Sequence, residues 1–224
     1  MLQPENIKFY LVDFDGVIAK NSIEISLSYT HDFINKFTPY HINSLKNYYA
    51  AINSFDLKEG LSLLFRALGI EDYLPELTDG LNSLKEYNKQ PILLDPGYFD
   101  FVAFCKSNDI GCSIFSLANS GKIENLLGFK PDLIKPPSSR FSKADPVVYS
   151  QICESLYLKP REIIVIDDDP LVLRSAKISG MRTILMGNEF FNNYVPPYQN
   201  YIDMMVDSFV EVEKKQELSL LNNL

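Results

Sequence analysis

The sequence predicts an α/β protein: a doubly wound parallel sheet with an all-helical segment inserted after its first strand. Three observations predict this. Short apolar runs stop abruptly in polar residues, as strands buried on both faces do. Helical patterns alternate with these runs over residues 91–224. Residues 21–90 carry helical periodicity and no strand-like run.

Taken in order, the first strand is expected over Ile7–Val12, and later ones over Gly111–Leu117, Glu162–Ile166, Met181–Met186 and, near the C-terminus, Asp203–Val206. Helices over Tyr98–Ser107, Lys122–Leu127, Pro146–Leu158 and Pro170–Ser179 connect them. Within the insertion, Ile42, Leu45, Tyr49, Ile52 and Phe55 fall on one helical face, and so do Leu74, Leu77, Leu81, Leu84 and Tyr87. Gly60–Leu68 reads as a further short helix. The chain returns towards the sheet through Gln90-Pro91 and Asp95-Pro96-Gly97.

Composition narrows the function classes. Of the 224 residues, 46% are hydrophobic and 22% charged, with fifteen Phe and thirteen Tyr to build a core, which excludes a disordered, collagen-like or coiled-coil chain. Lys and Arg total 21 against 29 Asp and Glu, a net charge of −8. Such a surface repels phosphate backbones and anionic lipid, so neither nucleic acid nor membrane is an expected partner. The cysteines Cys105, Cys112 and Cys153 are isolated, with neither metal spacing nor a disulfide framework. Met1–Lys8 lacks the basic and apolar regions of a signal peptide, and no run approaches the roughly 18–20 apolar residues of a membrane span. A soluble cytoplasmic protein is expected. Its oligomeric state is not legible.

In open α/β sheets, ligands bind beyond the carboxyl ends of the strands. The first strand ends in Asp13-Phe-Asp15-Gly16, and the strand over Glu162–Ile166 ends in Asp167-Asp168-Asp169-Pro170. Five carboxylates at one sheet edge repel one another and are costly to desolvate unless a cation intervenes. Oxygen ligands of this kind suit Mg²⁺, which keeps waters and binds substrate phosphate. A single Asp in such a place is more often a helix cap; two clusters on apolar strands are not. The run Ile163–Arg174 also looks like the start of a bacterial response-regulator receiver domain, but too few residues follow for one. Asn119-Ser-Gly-Lys122 lacks the earlier Gly that a P-loop requires.

Several separated motifs, in order, resemble the haloacid dehalogenase superfamily of phosphatases and phosphomutases. Phe9–Val17 is similar to its first motif, an apolar strand followed by Asp-x-Asp-Gly. Leu94-Asp-Pro-Gly97 resembles the re-entry after a helical cap, and Lys143-Ala-Asp-Pro-Val-Val-Tyr149 the third motif. Ile163–Met181, with Asp167-Asp168, resembles the fourth motif, and Met205–Phe209 the closing strand. The resemblance implies a Rossmann-like core over residues 1–20 and 91–224 and a helical cap over 21–90. It implies a Mg²⁺-dependent phosphatase acting on a small phosphorylated metabolite through an aspartyl phosphate. Asp13 would be the nucleophile and Asp15 the acid/base. Lys143 would balance the charge on Asp13 and the phosphoryl group. Asp13, the Asp15 carbonyl and Asp168 would hold Mg²⁺, with Asp167 as ligand or neighbour. The chain must bend after Asp13 to aim both aspartates at one substrate, and Gly16 allows the bend.

The second motif departs from the family pattern. Counting back from Leu126-Leu127 favours Ser116 as the phosphate-binding hydroxyl, with Asn119 or Ser120 as alternatives, and the helix start that follows could bind an anion through its N–H groups. Lys135 is a rival to Lys143. His31 and His41, in the insertion, lack metal spacing and read as packing or surface residues. A phosphomutase is the nearest alternative activity and would need insertion cations, such as Lys20, Lys36, Lys46, Lys58 and Arg66, to hold a second phosphate. A catalytically impaired interaction module, suggested by the odd second motif, is the alternative from another class.

Overall fold

A computed structural model describes residues 7–52, 57–83, 91–135, 143–188, 190–191 and 195–221. Strand β1 (Phe9–Val12) is followed by helices α1 (Ser22–Ile34), α2 (Ile42–Ile52), α3 (Leu57–Ala67) and α4 (Leu74–Asn82). Then come α5 (Tyr98–Ser107), β2 (Gly111–Phe115), α6 (Ser120–Leu127), β3 (Leu133–Ile134) and α7 (Pro146–Leu156). The chain ends with β4 (Ile163–Asp167), α8 (Pro170–Ile178), β5 (Arg182–Met186), β6 (Met204–Val206) and α9 (Phe209–Leu221). The six strands form one sheet in the order β3-β2-β1-β4-β5-β6, every pairing parallel. This is the expected doubly wound sheet, with β3 as an unforeseen edge strand. Phe55, Leu84, Tyr87 and Gln90, named above, lie outside the described residues.

Strand periodicity sorts side chains into two apolar layers. Tyr10, Val12, Ile164, Ile166, Ile184 and Met186 face α5, α6 and α9. Leu11, Val165 and Leu185 face α7 and α8 with Phe115 and Tyr149. Because β1 and β4 are covered on both sides, they are apolar throughout, and polar residues begin only where each strand ends. In the register, Val12 lies beside Ile166 on one side and Ile114 on the other. The chain order reverses about β1, which makes the carboxyl end of β1 and β4 the natural ligand position.

Between β1 and α5 the described residues contribute no strand to the sheet. Helices α1–α4 bury their own cluster, including Phe33, Leu45, Leu61, Phe65 and Leu77. Phe190 and Phe191, from the segment after β5, are part of that same cluster. The two chain segments that lead into and out of these helices run side by side: the Lys20 N–H donates to the Leu93 carbonyl (2.8 Å) and the Asp95 N–H to the Ile18 carbonyl (2.8 Å). Asn21 adds hydrogen bonds to Pro91 and Leu93. Among the described residues no helix is long and apolar enough to cross a membrane, and the three cysteines are free thiols.

Candidate active site

The turn after β1 carries Asp13 and Asp15 off the end of the strand. The Asp13 N–H still donates to Ile166 (2.9 Å), continuing the ladder, and the chain then folds back. The Ile18 and Ala19 N–H groups donate to the Phe14 carbonyl, and the Gly16 N–H to Ala19 (2.9 Å). Gly16 has φ +79°, and a Cβ there would sit 1.9 Å from Asp168 Oδ2. Only glycine meets both the conformation and the close approach.

Asp13, Asp167 and Asp168 are buried, and one oxygen from each lies within 4.8 Å of the others. Lys143, also buried, places Nζ 2.9 Å from Asp13 Oδ1 and 2.6 Å from Asp167 Oδ2. Its ammonium stands over the Phe115 ring, and its carbonyl accepts the buried Tyr149 hydroxyl (2.8 Å). Burial disfavours the Lys143 charge, but Asp13 and Asp167 outweigh it and hold the ammonium firmly protonated. Burial pushes the Asp13 carboxyl up to about 7, against the pull of Lys143. Burial first, and then the neighbouring carboxylates, raise Asp168 well above the usual range. Asp167 is raised by burial too, although Lys143 opposes it.

One ammonium among three buried carboxylates leaves negative charge uncompensated. Asp168 shows where: Oδ2 accepts from Asn188 Nδ2 (2.6 Å), while Oδ1 is buried without a hydrogen-bond partner. An orphaned carboxylate oxygen inside an all-oxygen cluster fits a hard divalent cation. The other two acids lie apart from this triad. Asp169 caps α8, its Oδ1 accepting the Leu171 N–H (2.8 Å). The half-buried Asp15 turns its carboxylate to Lys122, whose Nζ is 3.0 Å from Oδ1. Burial would raise Asp15, but Lys122, helped by a hydrogen bond from Ser22, holds it below the ordinary carboxylate value.

The alternatives in the second motif differ in what their atoms already do. Ser116 is buried, and its Oγ accepts the Ala118 N–H (3.1 Å). Asn119 is the N-cap of α6: its Oδ1 accepts from Gly121 (2.8 Å) and Lys122 (3.4 Å). Those two N–H groups, expected to be open to an anion, are therefore taken. Ser120 is exposed. Lys135 donates to the Ala118 carbonyl, outside the triad, and partial burial lowers its pKa despite Asp15 nearby. His31 bonds the Tyr40 carbonyl and Asn35 within the insertion, and His41 accepts from the Asn43 N–H.

Ser116, Asn119, Ser120, Lys135 and Lys143 line one cavity of about 490 Å³ with Asp13, Asp15 and Asp167. Lys122 and Asn188 are the residues that sequence reasoning missed. Lys122 figures in the sequence only as a helix start and in a failed P-loop match, and Asn188 only as an isolated residue after β5. Neither has a local pattern, since their partners lie 107 and 20 residues away.

No family model matches the chain. A curated relative, enolase-phosphatase E1 of Persephonella marina, is 24% identical over 237 residues, covering 92% of this chain and 98% of that protein. Among solved structures, a mutant of CbbY from Rhodobacter sphaeroides in complex with xylulose-(1,5)bisphosphate is 19% identical, with a TM-score of 0.70 over 92% of this chain and 96% of that one. A HAD hydrolase of family IA, variant 3, from Entamoeba histolytica is 16% identical, with a TM-score of 0.72 over 95% and 99%. The chain has the haloacid dehalogenase fold.

Proposed function

We propose that the chain is a Mg²⁺-dependent phosphatase that hydrolyses a small phosphorylated metabolite through an aspartyl phosphate on Asp13. The observation that carries this reading is the position of Asp13: it ends the central strand, within 2.9 Å of Lys143 and inside the triad with Asp167 and Asp168. The relative named an enolase-phosphatase and the CbbY complex with a sugar bisphosphate support phosphate-ester chemistry on this fold.

In the first step Asp13 attacks phosphorus, the bond from phosphorus to the leaving oxygen breaks, and Asp15 gives that oxygen a proton. In the second, a water attacks the aspartyl phosphate, Asp15 takes the proton, and the Asp13 carboxylate returns as inorganic phosphate leaves. Lys143 offsets negative charge on Asp13 and the phosphoryl oxygens throughout. Ser116 would bind the phosphoryl group; its burial in the cavity supports this, whereas Asn119 is committed to its helix and Ser120 is exposed. Asp13, the Asp15 carbonyl and Asp168, whose Oδ1 is the orphaned oxygen, would hold Mg²⁺, with Asp167 as ligand or neighbour, and the ion's charge would let the buried carboxylates stay ionised together and offset the phosphate. Helices α1–α4, as a cap over 21–90, would close over the leaving group, with the paired segments near residues 20 and 91 as the hinge. Free thiols suit a cytoplasmic enzyme.

Hydrolysis is favoured over mutase activity by the cavity itself. Of Lys20, Lys36, Lys46, Lys58 and Arg66, only Lys58 lines it. The test is a screen of phosphorylated metabolites with and without Mg²⁺, with Asp13→Asn as control. Release of phosphate by Asp13→Asn equal to wild type would remove the reading.

A further inference from the structure

The side of the cavity opposite the aspartates has a chemistry of its own. At about 490 Å³ the cavity has the size of a small-molecule site. Its far wall comes from the insertion: Ile23 of α1, Tyr49 of α2, Leu57 and Leu61 of α3, and Leu81 of α4. Four of these are buried, Leu57 is partly so, and all five belong to the apolar cluster of α1–α4. The wall is thus the inner face of that core.

Two residues that look polar in the sequence do not make it polar. The Tyr49 hydroxyl is bonded to the Thr30 hydroxyl, inside the insertion. The Thr78 hydroxyl donates back along its own helix, to Leu74 (3.0 Å) and Pro75 (2.9 Å). What remains polar on this side is Ser26, Asn82 and the exposed Lys58. Apart from Lys58, charge is concentrated on the core side, where the phosphoryl group belongs, and most of the insertion side is carbon.

We propose, resting on the phosphatase reading above, that the leaving group carries an uncharged aliphatic or aromatic segment that packs on Ile23, Tyr49, Leu57 and Leu81, backed by Leu61. A polyhydroxylated leaving group set there leaves hydroxyls unpaired, at roughly tenfold or more in binding for each. An aliphatic chain gains about fourfold per buried methylene. Ser26 and Asn82 can satisfy a single polar substituent within that segment.

The test is a matched series: ethyl, propyl, butyl and pentyl phosphate, with glycerol 1-phosphate, a hexose 6-phosphate and phosphoglycolate as contrasts, all with Mg²⁺. Binding of the corresponding n-alkylphosphonates is followed in parallel by calorimetry. The expected result is kcat/KM that rises about fourfold per methylene, with the hydroxylated esters at least tenfold below the alkyl ester of equal length. Phosphonate affinity should rise in step. Leu57→Ser, at the partly buried rim, should cut the advantage of the pentyl ester several-fold while a thermal melt reports the fold intact. Turnover that is flat along the series, or highest for the hexose phosphate, overturns the proposal and leaves the phosphatase reading standing. So does a preference for phosphoglycolate that disappears in Lys58→Ala. If no phosphomonoester is hydrolysed but phosphonate affinity still climbs with chain length, the phosphatase reading falls and the apolar wall stands. Phosphonate affinity independent of chain length overturns the wall.

Discussion

The Lys122 ammonium lies 3.0 Å from Asp15 Oδ1, so each aspartate of the Asp-x-Asp turn meets a different lysine: Lys143, shared with Asp167, for Asp13, and Lys122 for Asp15. The two pairs differ in depth. Lys143 and Asp13 are buried, whereas Lys122 and Asp15 stand at the cavity edge, 16% and 31% exposed. In this arrangement Asp15 is an ionised carboxylate, ready to take a proton from water. In the proposed mechanism Asp15 would have to take up a proton against the pull of Lys122 before giving it to a leaving oxygen.

Lys122→Met should therefore change the pH profile. Lys122 holds the Asp15 carboxyl low against burial, so its loss raises the pKa, and the acid limb of kcat moves to higher pH by roughly one unit or more. The stability term has the usual sign for a depressed acid. The pair stabilises the fold above the unfolded Asp value of about 4 and loses that contribution as the pH falls through the lower folded value. A pH–rate profile with p-nitrophenyl phosphate checks this, and Lys122→Arg should restore the original limb. An unmoved limb in Lys122→Met would mean that Asp15 does not govern it.

Asp13→Asn and Asp15→Asn should fail differently. Without the Asp13 oxygen no phosphoenzyme forms from any ester. With Asp15→Asn, an activated aryl phosphate still transfers its phosphoryl group, because its leaving oxygen needs no proton. Rapid-quench measurements should then show a burst followed by a steady rate about 10²–10⁴-fold below wild type. An alkyl phosphate should show neither phase. A burst in Asp13→Asn that is absent in Asp15→Asn would exchange the two roles.

The acid triad should make the metal-free protein weaker at alkaline pH. Asp13, Asp167 and Asp168 are all raised, chiefly by burial. The native state therefore holds protons that the unfolded chain has lost, and stability falls as pH rises from about 4 towards the value of about 7 at Asp13. In chelator, Asp168→Asn should flatten this decline and melt roughly 2–8 °C above wild type at pH 8, as expected for about 1–2 kcal/mol in a chain of this size. Added Mg²⁺ should raise the melting temperature of wild type and not of the variant. Equal Mg²⁺ stabilisation of both proteins would take Asp168 out of the metal site.

Gly16→Ala should be severe despite the small change. The new methyl meets Asp168 at 1.9 Å and sits on a backbone with φ +79°. Positive φ alone costs an L-residue roughly 1–2 kcal/mol. The expected result is a melting temperature lower by several degrees and loss of both turnover and Mg²⁺ stabilisation. Gly69→Ala serves as control: its φ is also positive, but a Cβ there meets nothing within 4 Å, so it should lose stability alone.

How much of this was legible in the sequence depended on distance along the chain. Strands β1 and β4 announce themselves because the sheet covers both faces and each run of apolar residues ends in acids. Helix α5 was legible to the residue. Strand β3 was not, since Leu133–Ile134 is too short to show any period. Helix α1 had no visible stripe because Ile23, Ile25, Leu27, Tyr29 and Phe33 are buried around most of its circumference. In the site, Asp13, Asp167, Asp168 and Lys143 follow strand ends and helix starts, which local patterns mark. Lys122, Asn188 and the inward turn of the Tyr49 hydroxyl depend on the tertiary arrangement, and nothing local encodes them.

Phe190 and Phe191 give the insertion a third attachment. They lie in the apolar cluster of α1–α4, while Asn188 in the same segment donates to Asp168 and accepts the Phe190 N–H (2.9 Å). The described residues of this segment thus contact the insertion at one end and a carboxylate of the triad at the other. One short stretch therefore touches both the apolar cluster behind the far wall and a carboxylate of the triad, so a substitution at Asn188 or Phe191 reaches the two sides of the cavity at once.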